Sequence, residues 1–356
     1  MKHLFDVRPR VSEPYPVLCG EGPVDALHSV WRPEWRQAVV VGDSNTAALF
    51  GKPLALRLRE LGCEVLELEF PAGEPSKTRA TKERLEDAML AARIERGACI
   101  VAVGGGVVLD LAGFLAATYL RGIAHIHVAT TLLAQVDAAI GGKTAVDTPF
   151  GKNLIGAFHH PRAVLLDQAA LRSLPLVELR HGLAECVKHA VIRDEMLFKS
   201  LERLTSFDDP PSAELILRSV AVKVAIVAVD PLEHGERRSL NFGHTVAHAI
   251  EAATNHTTAH GAAVAIGMII EARLAVMKGW LPKDALDRIV ALLERIGLPV
   301  RAPCAFDAAA PFFAIDKKTS EGRIQCALPE QLGVFGAHDG QWTRSVTLAE
   351  LLRAWT

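Results

Sequence analysis

The rhythm of apolar residues changes near Ala169, and no other feature constrains the fold as tightly. Before that point, short apolar runs alternate with helical patterns, as in parallel α/β sheets. Gln37–Val41 reads as a buried strand closed by Gly42, Asp43, Ser44 and Asn45. A helix is expected from about Thr46 to Leu61, then a strand over Glu64–Phe70, and a helix over Ser76–Arg96. Cys99–Val103, Ile123–Val128 and Ala163–Asp167 read as further strands, with a helical run, Val107–Leu120, after the first of them. Beyond Ala169 long helical patterns dominate, over about 176–204, 213–229, 239–254, 261–278 and 283–296. The sequences FDDPPS (207–212) and GLP (297–299) are loops by composition. With 356 residues, two domains are expected: an α/β domain over 1–172 and a mostly α-helical one over 173–356. A cleft between two such domains is a preferred place for a ligand.

Half of the residues are hydrophobic and the formal charge is −2, so the chain has no global attraction for nucleic acid, and an anionic ligand needs local cations. The six cysteines are scattered without a C-x-x-C pair, which favours a reduced compartment over a disulfide framework. No run reaches the roughly 18 uninterrupted apolar residues of a membrane span, and the first residues lack the apolar core of a signal peptide. A cytoplasmic location is expected.

Gly104-Gly105-Gly106 follows a buried strand and precedes a helical run. Glycines there let the backbone approach a phosphate, which the helix N-terminus favours. The spacing is not G-x-G-x-x-G, and a tight turn explains the triplet equally well. Asp43 suits a ribose hydroxyl or a helix N-cap, while Glu74 and Lys77 suit an adenosine and its phosphate or an exposed helix start. Lys143, Lys152 and Asn153 fall in glycine-rich segments read as loops, where a lysine can reach an anion as a point charge. Arg121, Lys188, Lys223 and Arg237 add cations beside apolar runs. Glu185 and Lys188 share one helix face, and His244 and His248 are one turn apart, with His260 on the next segment. Two imidazoles and a carboxylate suit zinc with an open position, although two core histidines are the commoner meaning of that spacing.

Taken in order, these segments resemble 3-dehydroquinate synthase and the wider sugar phosphate cyclases. The resemblance is carried by GEPSK (73–77), GGGVVLDLAGFLAATYLRG (104–122), TTLLAQVDAAIGGKT (130–144), GKNLIGAF (151–158), GLAECVK (182–188), RRSLNFGHTVAHAIE (237–251), HGAAVAIGM (260–268) and DKK (316–318). It implies an NAD-binding, Rossmann-like N-terminal domain, a helical metal- and substrate-binding domain, and a homodimer. The implied substrate is a sugar acid phosphate, 3-deoxy-D-arabino-heptulosonate 7-phosphate. NAD transiently oxidises its C5 hydroxyl, phosphate leaves by β-elimination, the ketone is reduced back, and an intramolecular aldol step closes the ring of 3-dehydroquinate.

Carried over by position, the resemblance implies Glu185, His244 and His260 as ligands of zinc, with cobalt as the alternative. His248 becomes the proton acceptor, working with Lys188, Asp137 and Asn241. Lys143, Lys223 and Arg237 would hold the carboxylate. Lys152 and Asn153 would hold the phosphate, with Arg121 reaching in from the partner subunit. For NAD the matching positions are Asp43, Asn45, Glu74, Lys77, Gly106, Asp110, Thr130 and Thr131. One lysine of Lys317-Lys318 is expected to face the substrate.

Several positions depart from the dehydroquinate pattern: Leu109 replaces a glycine, Ala138-Ala139 a serine pair, and Ala262 a glutamate. Leu109 leans toward relatives that cyclise sedoheptulose 7-phosphate to valiolone-type products. The retained Lys223 and Arg237 lean the other way, because a buried cation cluster without a carboxylate to hold is costly. An amino-analogue of the acid substrate fits the same residues. A metal-dependent alcohol dehydrogenase is a further reading, distinguished by net NADH release.

Overall fold

The computed structural model describes residues 13–313 and 323–355. The first half builds a six-stranded parallel sheet from β1 (Val17–Gly20), β2 (Gln37–Asp43), β3 (Glu64–Phe70), β4 (Cys99–Gly104), β5 (Ala124–Ala129) and, after a hairpin of β6 (Lys143–Thr148) and β7 (Gly151–Phe158), β8 (Ala163–Asp167). The spatial order is β1-β8-β5-β4-β2-β3. The central strands β4 and β8 are buried along their whole length, as expected when both sheet faces are covered. The covering helices are α1 (Pro23–Val30), α2 (Lys52–Glu60), α3 (Arg79–Ala91) and α4 (Gly106–Thr118).

The second half consists of α5 (Leu176–Arg193), α6 (Glu195–Arg203), α7 (Ala213–Val229), α8 (His244–Ala253), α9 (His260–Met277), α10 (Lys283–Ile296) and α11 (Phe306–Phe313). A two-stranded ribbon, β9 (Ile324–Cys326) and β10 (Arg344–Val346), and α12 (Leu348–Trp355) complete the described chain. By length and composition α9 could cross a membrane, but it is mostly buried in this fold and serves as its core helix.

Three expectations need correction. The helix expected over 176–204 is two helices broken at Asp194, whose backbone leaves the helical region and whose carboxylate caps α6 by accepting from Leu197 N at 2.9 Å. Arg218 holds the same carboxylate from α7. The segment expected as loops around Lys143, Lys152 and Asn153 is the β6–β7 hairpin, where glycine content hides a strand pattern. The pattern over 239–254 divides into a 3-10 turn (Glu236–Asn241) and α8. Strand β1, only four residues long, went unread.

The junction before α8 positions the most informative sequence segment. Gly243 has φ 80°, a conformation glycine adopts without strain. Its N–H donates to Glu271 Oε2 at 2.8 Å, and Val246 N–H donates to Oε1 at 3.2 Å. Glu271, wholly buried on α9, thus places a carboxylate at the N-terminus of α8, where the exposed N–H groups and the helix dipole favour negative charge. His244 is the first residue of the helix fixed this way.

Candidate active site

In an open parallel sheet, ligands bind beyond the carboxyl ends of the strands where the strand order reverses. Here the reversal lies between β2, which leads outward to β3, and β4, which starts the run toward β5 and β8. Asp43 and Asn45 at the end of β2, Gly104–Gly106 at the end of β4, and Thr130 and Thr131 at the end of β5 therefore share one rim. Gly106 opens α4, and Asp110 follows one turn later. Asp43 accepts through Oδ1 from Asn45 N, Thr46 N and Thr46 Oγ1 at 2.9–3.0 Å, so it caps the turn that carries Asn45. Lys77 is nearly buried and donates to Asp110 Oδ2 and Asn153 Oδ1, both at 2.6 Å. Burial opposes its charge, but Asp110, Glu74 and Asp147 outweigh it and raise its pKa. Lys77 thus ties the rim to the β6–β7 hairpin.

Across the cleft, three helices converge. Glu185 and Lys188 project from α5, His244 and His248 from α8, and His260 opens α9. Glu185 Oε1 is 3.5 Å from His244 Nε2 and 3.6 Å from His260 Nε2. The His248 ring lies 5.7 Å from that of His244 and 6.4 Å from that of His260, centre to centre. His244 Nδ1 lies 3.2 Å from the Phe242 carbonyl, and a proton held there leaves Nε2 as the free lone pair. Burial opposes a charge on His260, but Glu185 and Glu251 outweigh it and push its pKa up to about 10. The same cage would hold a metal cation in place of that proton.

Among the described residues, two groups of three acid or imidazole side chains place ligand atoms within 4.8 Å: Glu185–His244–His260 and Asp137–Glu185–His189. The second group is already engaged. Asp137 is ion-paired with Lys223 and Lys188, and His189 Nδ1 lies 2.9 Å from Ser219 Oγ. In the first, Glu185 Oε1 is wholly buried without a hydrogen-bond donor, an arrangement that is costly unless a cation completes it. The N, N, O donor set fits zinc or cobalt with a position left open.

Beside this cage sits a group of buried cations. Lys188 Nζ is 2.5 Å from Glu185 Oε2 and 3.9 Å from Asp137 Oδ1. Lys223 donates to the Asp137 carboxylate, and to its carbonyl at 2.6 Å. Burial, together with Lys188 and Arg237 nearby, pushes the Lys223 pKa down to about 8 despite Asp137. Burial works against the charge on Asp137, yet Lys188 and Lys223 hold its carboxyl well below the usual range. Arg237 is wholly enclosed, donating to the Pro231 carbonyl and lying 5.7 Å from the Phe158 ring. Lys143 pairs with Glu233, which also accepts from Asn241 Nδ2 at 2.7 Å.

Lys152 reaches Glu251 at 3.0 Å and Glu74 at 3.5 Å, and Asn153 N–H donates to Asp147 at 2.9 Å. Arg121 stands elsewhere. It is exposed and lies just before β5, at the edge of the sheet opposite to Thr130. The intervening 13-residue helix α4 spans about 20 Å. Within one chain, Arg121 is not part of this cleft. Lys317 and Lys318 lie outside the described residues.

Sequence reading missed Glu233, Glu251, His189, Asp147 and Glu271. For Glu251 a signal existed: residues 244, 248 and 251 follow i, i+4, i+7 and share one helix face. The others come close only through tertiary packing. Of the departures, Leu109 is wholly buried in the main hydrophobic core, and the Ala139 carbonyl lies 3.0 Å from His127 Nδ1. Ala138 stands beside Gly106, and Ala262 is partly exposed on α9.

Comparison with known proteins bears on the fold and the family. Residues 67–181 match the model of the 3-dehydroquinate synthase N-terminal domain, and residues 182–319 that of the C-terminal domain. The chain is 44% identical over 331 residues to a 3-dehydroquinate synthase of Symbiobacterium thermophilum, covering 90% of this chain and 92% of the relative. It is 46% identical over 314 residues to one of a Synechococcus species, covering 86% and 85%. Among solved structures, it is similar to 2-deoxy-scyllo-inosose synthase in complex with carbaglucose-6-phosphate, NAD+ and Co2+ (TM-score 0.87, 28% identity, 95% of each chain). It is also similar to the 2-epi-5-epi-valiolone synthase of Streptomyces hygroscopicus with NAD+ and Zn2+ (TM-score 0.86, 28% identity, 98% of each). A glycerol dehydrogenase of Schizosaccharomyces pombe, 16% identical with a TM-score of 0.67, shares the fold. The chain belongs to the 3-dehydroquinate synthase family.

Proposed function

We propose that this protein converts 3-deoxy-D-arabino-heptulosonate 7-phosphate into 3-dehydroquinate and phosphate. One observation carries the choice of substrate: the buried cations Lys188, Lys223 and Arg237 adjoin the Glu185–His244–His260 cage, and Lys223 has its pKa pushed down to about 8. Lys223 and Arg237, whose positive charges burial opposes, favour a ligand with a carboxylate. The position that leans toward a valiolone-type cyclase does not oppose this. Leu109 has no exposed surface, so it changes the packing beneath α4 and not the wall that a substrate meets.

NAD is assigned to the rim formed by Asp43, Asn45, Glu74, Lys77, Gly106, Asp110, Thr130 and Thr131, and the metal to Glu185, His244 and His260. When bound, NAD accepts and returns a hydride, and the metal polarises the substrate hydroxyls. The chain supplies the rest. His248 takes the proton of the hydroxyl to be oxidised, with Asn241 and Lys188 in support. Asp137 and Lys188 orient the sugar hydroxyls, and Lys143, Lys223 and Arg237 hold the carboxylate. Lys152 and Asn153 hold the phosphate until it leaves. Arg121 completes that phosphate site from the second subunit of a homodimer, since α4 keeps it away from its own cleft. Residues 1–172 form the cofactor domain, 173–356 the metal and substrate domain, and the enzyme works in the cytoplasm.

The deciding experiment follows phosphate release with NAD and zinc, offering heptulosonate 7-phosphate and sedoheptulose 7-phosphate in parallel. Release from the acid alone, without net NADH, is expected. Release from sedoheptulose 7-phosphate would assign a valiolone-type activity, and accumulation of NADH would assign a dehydrogenase.

A further inference from the structure

Glu251 stands between two parts of the site that the catalytic assignment treats separately. It lies on the His244–His248 face of α8 and is only 1% exposed. Its Oε1 is 3.0 Å from Lys152 Nζ, on strand β7 of the α/β half. The same oxygen is 3.4 Å from His260 Nδ1, on α9 of the helical half. The other His260 nitrogen, Nε2, faces Glu185 Oε1 at 3.6 Å. One carboxylate oxygen therefore serves an anion-binding lysine and the outer nitrogen of a metal-cage histidine.

We propose that Glu251 is a positioning residue that couples anion binding at Lys152 to cation binding at the Glu185–His244–His260 cage. This rests on the reading above, in which Lys152 holds phosphate and His260 is a metal ligand. Without an anion, Glu251 divides its charge between the Lys152 ammonium and the His260 Nδ1–H. A phosphate draws Lys152 to itself and leaves the whole carboxylate to His260. A carboxylate on the outer N–H of a ligand histidine fixes its tautomer and makes the ligating nitrogen a better donor. Phosphate therefore tightens the cage around its metal, and by linkage the metal tightens phosphate binding equally.

The test uses the full chain stripped of metal and titrated with Co2+, with the visible absorption of bound cobalt as readout and inorganic phosphate as the anion. In the wild type, saturating phosphate is expected to lower the cobalt Kd about fivefold or more, within the usual range of coupling. Glu251→Gln is expected to weaken cobalt about 10- to 100-fold, as loss of such a partner does, and to shrink the phosphate effect below about twofold. Lys152→Met removes the competitor from a partly exposed position and is expected to tighten cobalt several-fold, but only while Glu251 is present. A simple through-space effect of the lysine charge would survive in the Lys152→Met/Glu251→Gln double variant. Wild-type cobalt affinity in Glu251→Gln, or persistence of the Lys152→Met gain in the double variant, would overturn the proposal. Two controls separate its failure from that of the underlying reading. Unchanged cobalt binding in His260→Ala would reject the ligand set, and unchanged phosphate binding in Lys152→Met would reject the phosphate role.

Discussion

Gly141 and Arg237 are in direct contact: the guanidinium occupies the space where a side chain at residue 141 would begin. Gly141 has φ 101°, and its N–H donates to the Tyr15 hydroxyl at 3.1 Å. The turn that carries Lys143 is thereby pinned from below by Tyr15 and capped by the arginine. Gly141→Ala meets both the backbone penalty and the guanidinium, about 1–3 kcal/mol of strain. The expected result is a lower melting temperature and a KM for the acid substrate raised about tenfold or more. An unchanged KM would separate Arg237 from substrate binding.

Lys223 gives the cleft a titration near neutrality. With its pKa pushed down to about 8, the lysine loses its charge as pH rises through that value in the free enzyme. Because kcat/KM reports groups of the free enzyme, it should fall along a basic limb near pH 8. Lys223→Arg keeps its charge throughout this range and should move the limb upward. A limb that stays in place would assign it to another group.

His260→Ala removes one of three donors from the cage. The variant is expected to lose bound zinc and activity, with circular dichroism close to that of the wild type, because His260 begins α9 and is not part of its packed interior. Full zinc occupancy, measured by elemental analysis, would reject the assignment.

A separate group of histidines governs behaviour in acid. His125 and His127 on β5 are buried, and His159 and His160 follow β7. The His125 ring lies 4.8 Å from that of His127 and 4.9 Å from that of His159. Burial pushes His127 down to about 4 and lowers the other three. Each therefore binds a proton less readily in the fold than in the unfolded chain, whose histidines take up protons near pH 6.5 and below. The unfolded chain then binds more protons, so stability falls as pH drops from about 6.5 toward 4. The slope is at most about 1.4 kcal/mol per pH unit for each histidine. Denaturant titrations at pH 7 and pH 5 measure it, and His127→Gln should flatten it. An equal slope in that variant would remove His127 from the account.

The sheet and most helices were legible because their signals are local. Glu64–Phe70, Ala163–Asp167, Ala213–Val229 and Lys283–Ile296 occur with the limits their apolar patterns imply. The break at Asp194 was not legible, because an N-cap within a continuous apolar pattern looks like one more helical residue. The β6–β7 hairpin was hidden by its glycines and by exposed apolar side chains such as Phe150 and Leu154, which blur the alternation of a strand. At the site, Glu185, His244 and His260 were named through family resemblance, since spacing alone suited core histidines as well. Glu271 carries no mark of its own, and the mark of Glu251, its place on the His244–His248 face, shows only once those histidines are read as a site. An acid on a helix reads as solvated until tertiary structure buries it against another helix.

Among the described residues, strand β1 pairs with β8 alone, Val17 opposite Val164 and Gly20 opposite Asp167. On the ribosome, β1 is made before the other strands of this sheet, yet it pairs only once β8, the last of them, has been made. At ordinary rates of synthesis it waits on the order of ten seconds. A chain that stalls before Ala163 lacks β8, so β1 has no partner and the flank of β5 is bare, an unpaired edge open to any neighbouring chain.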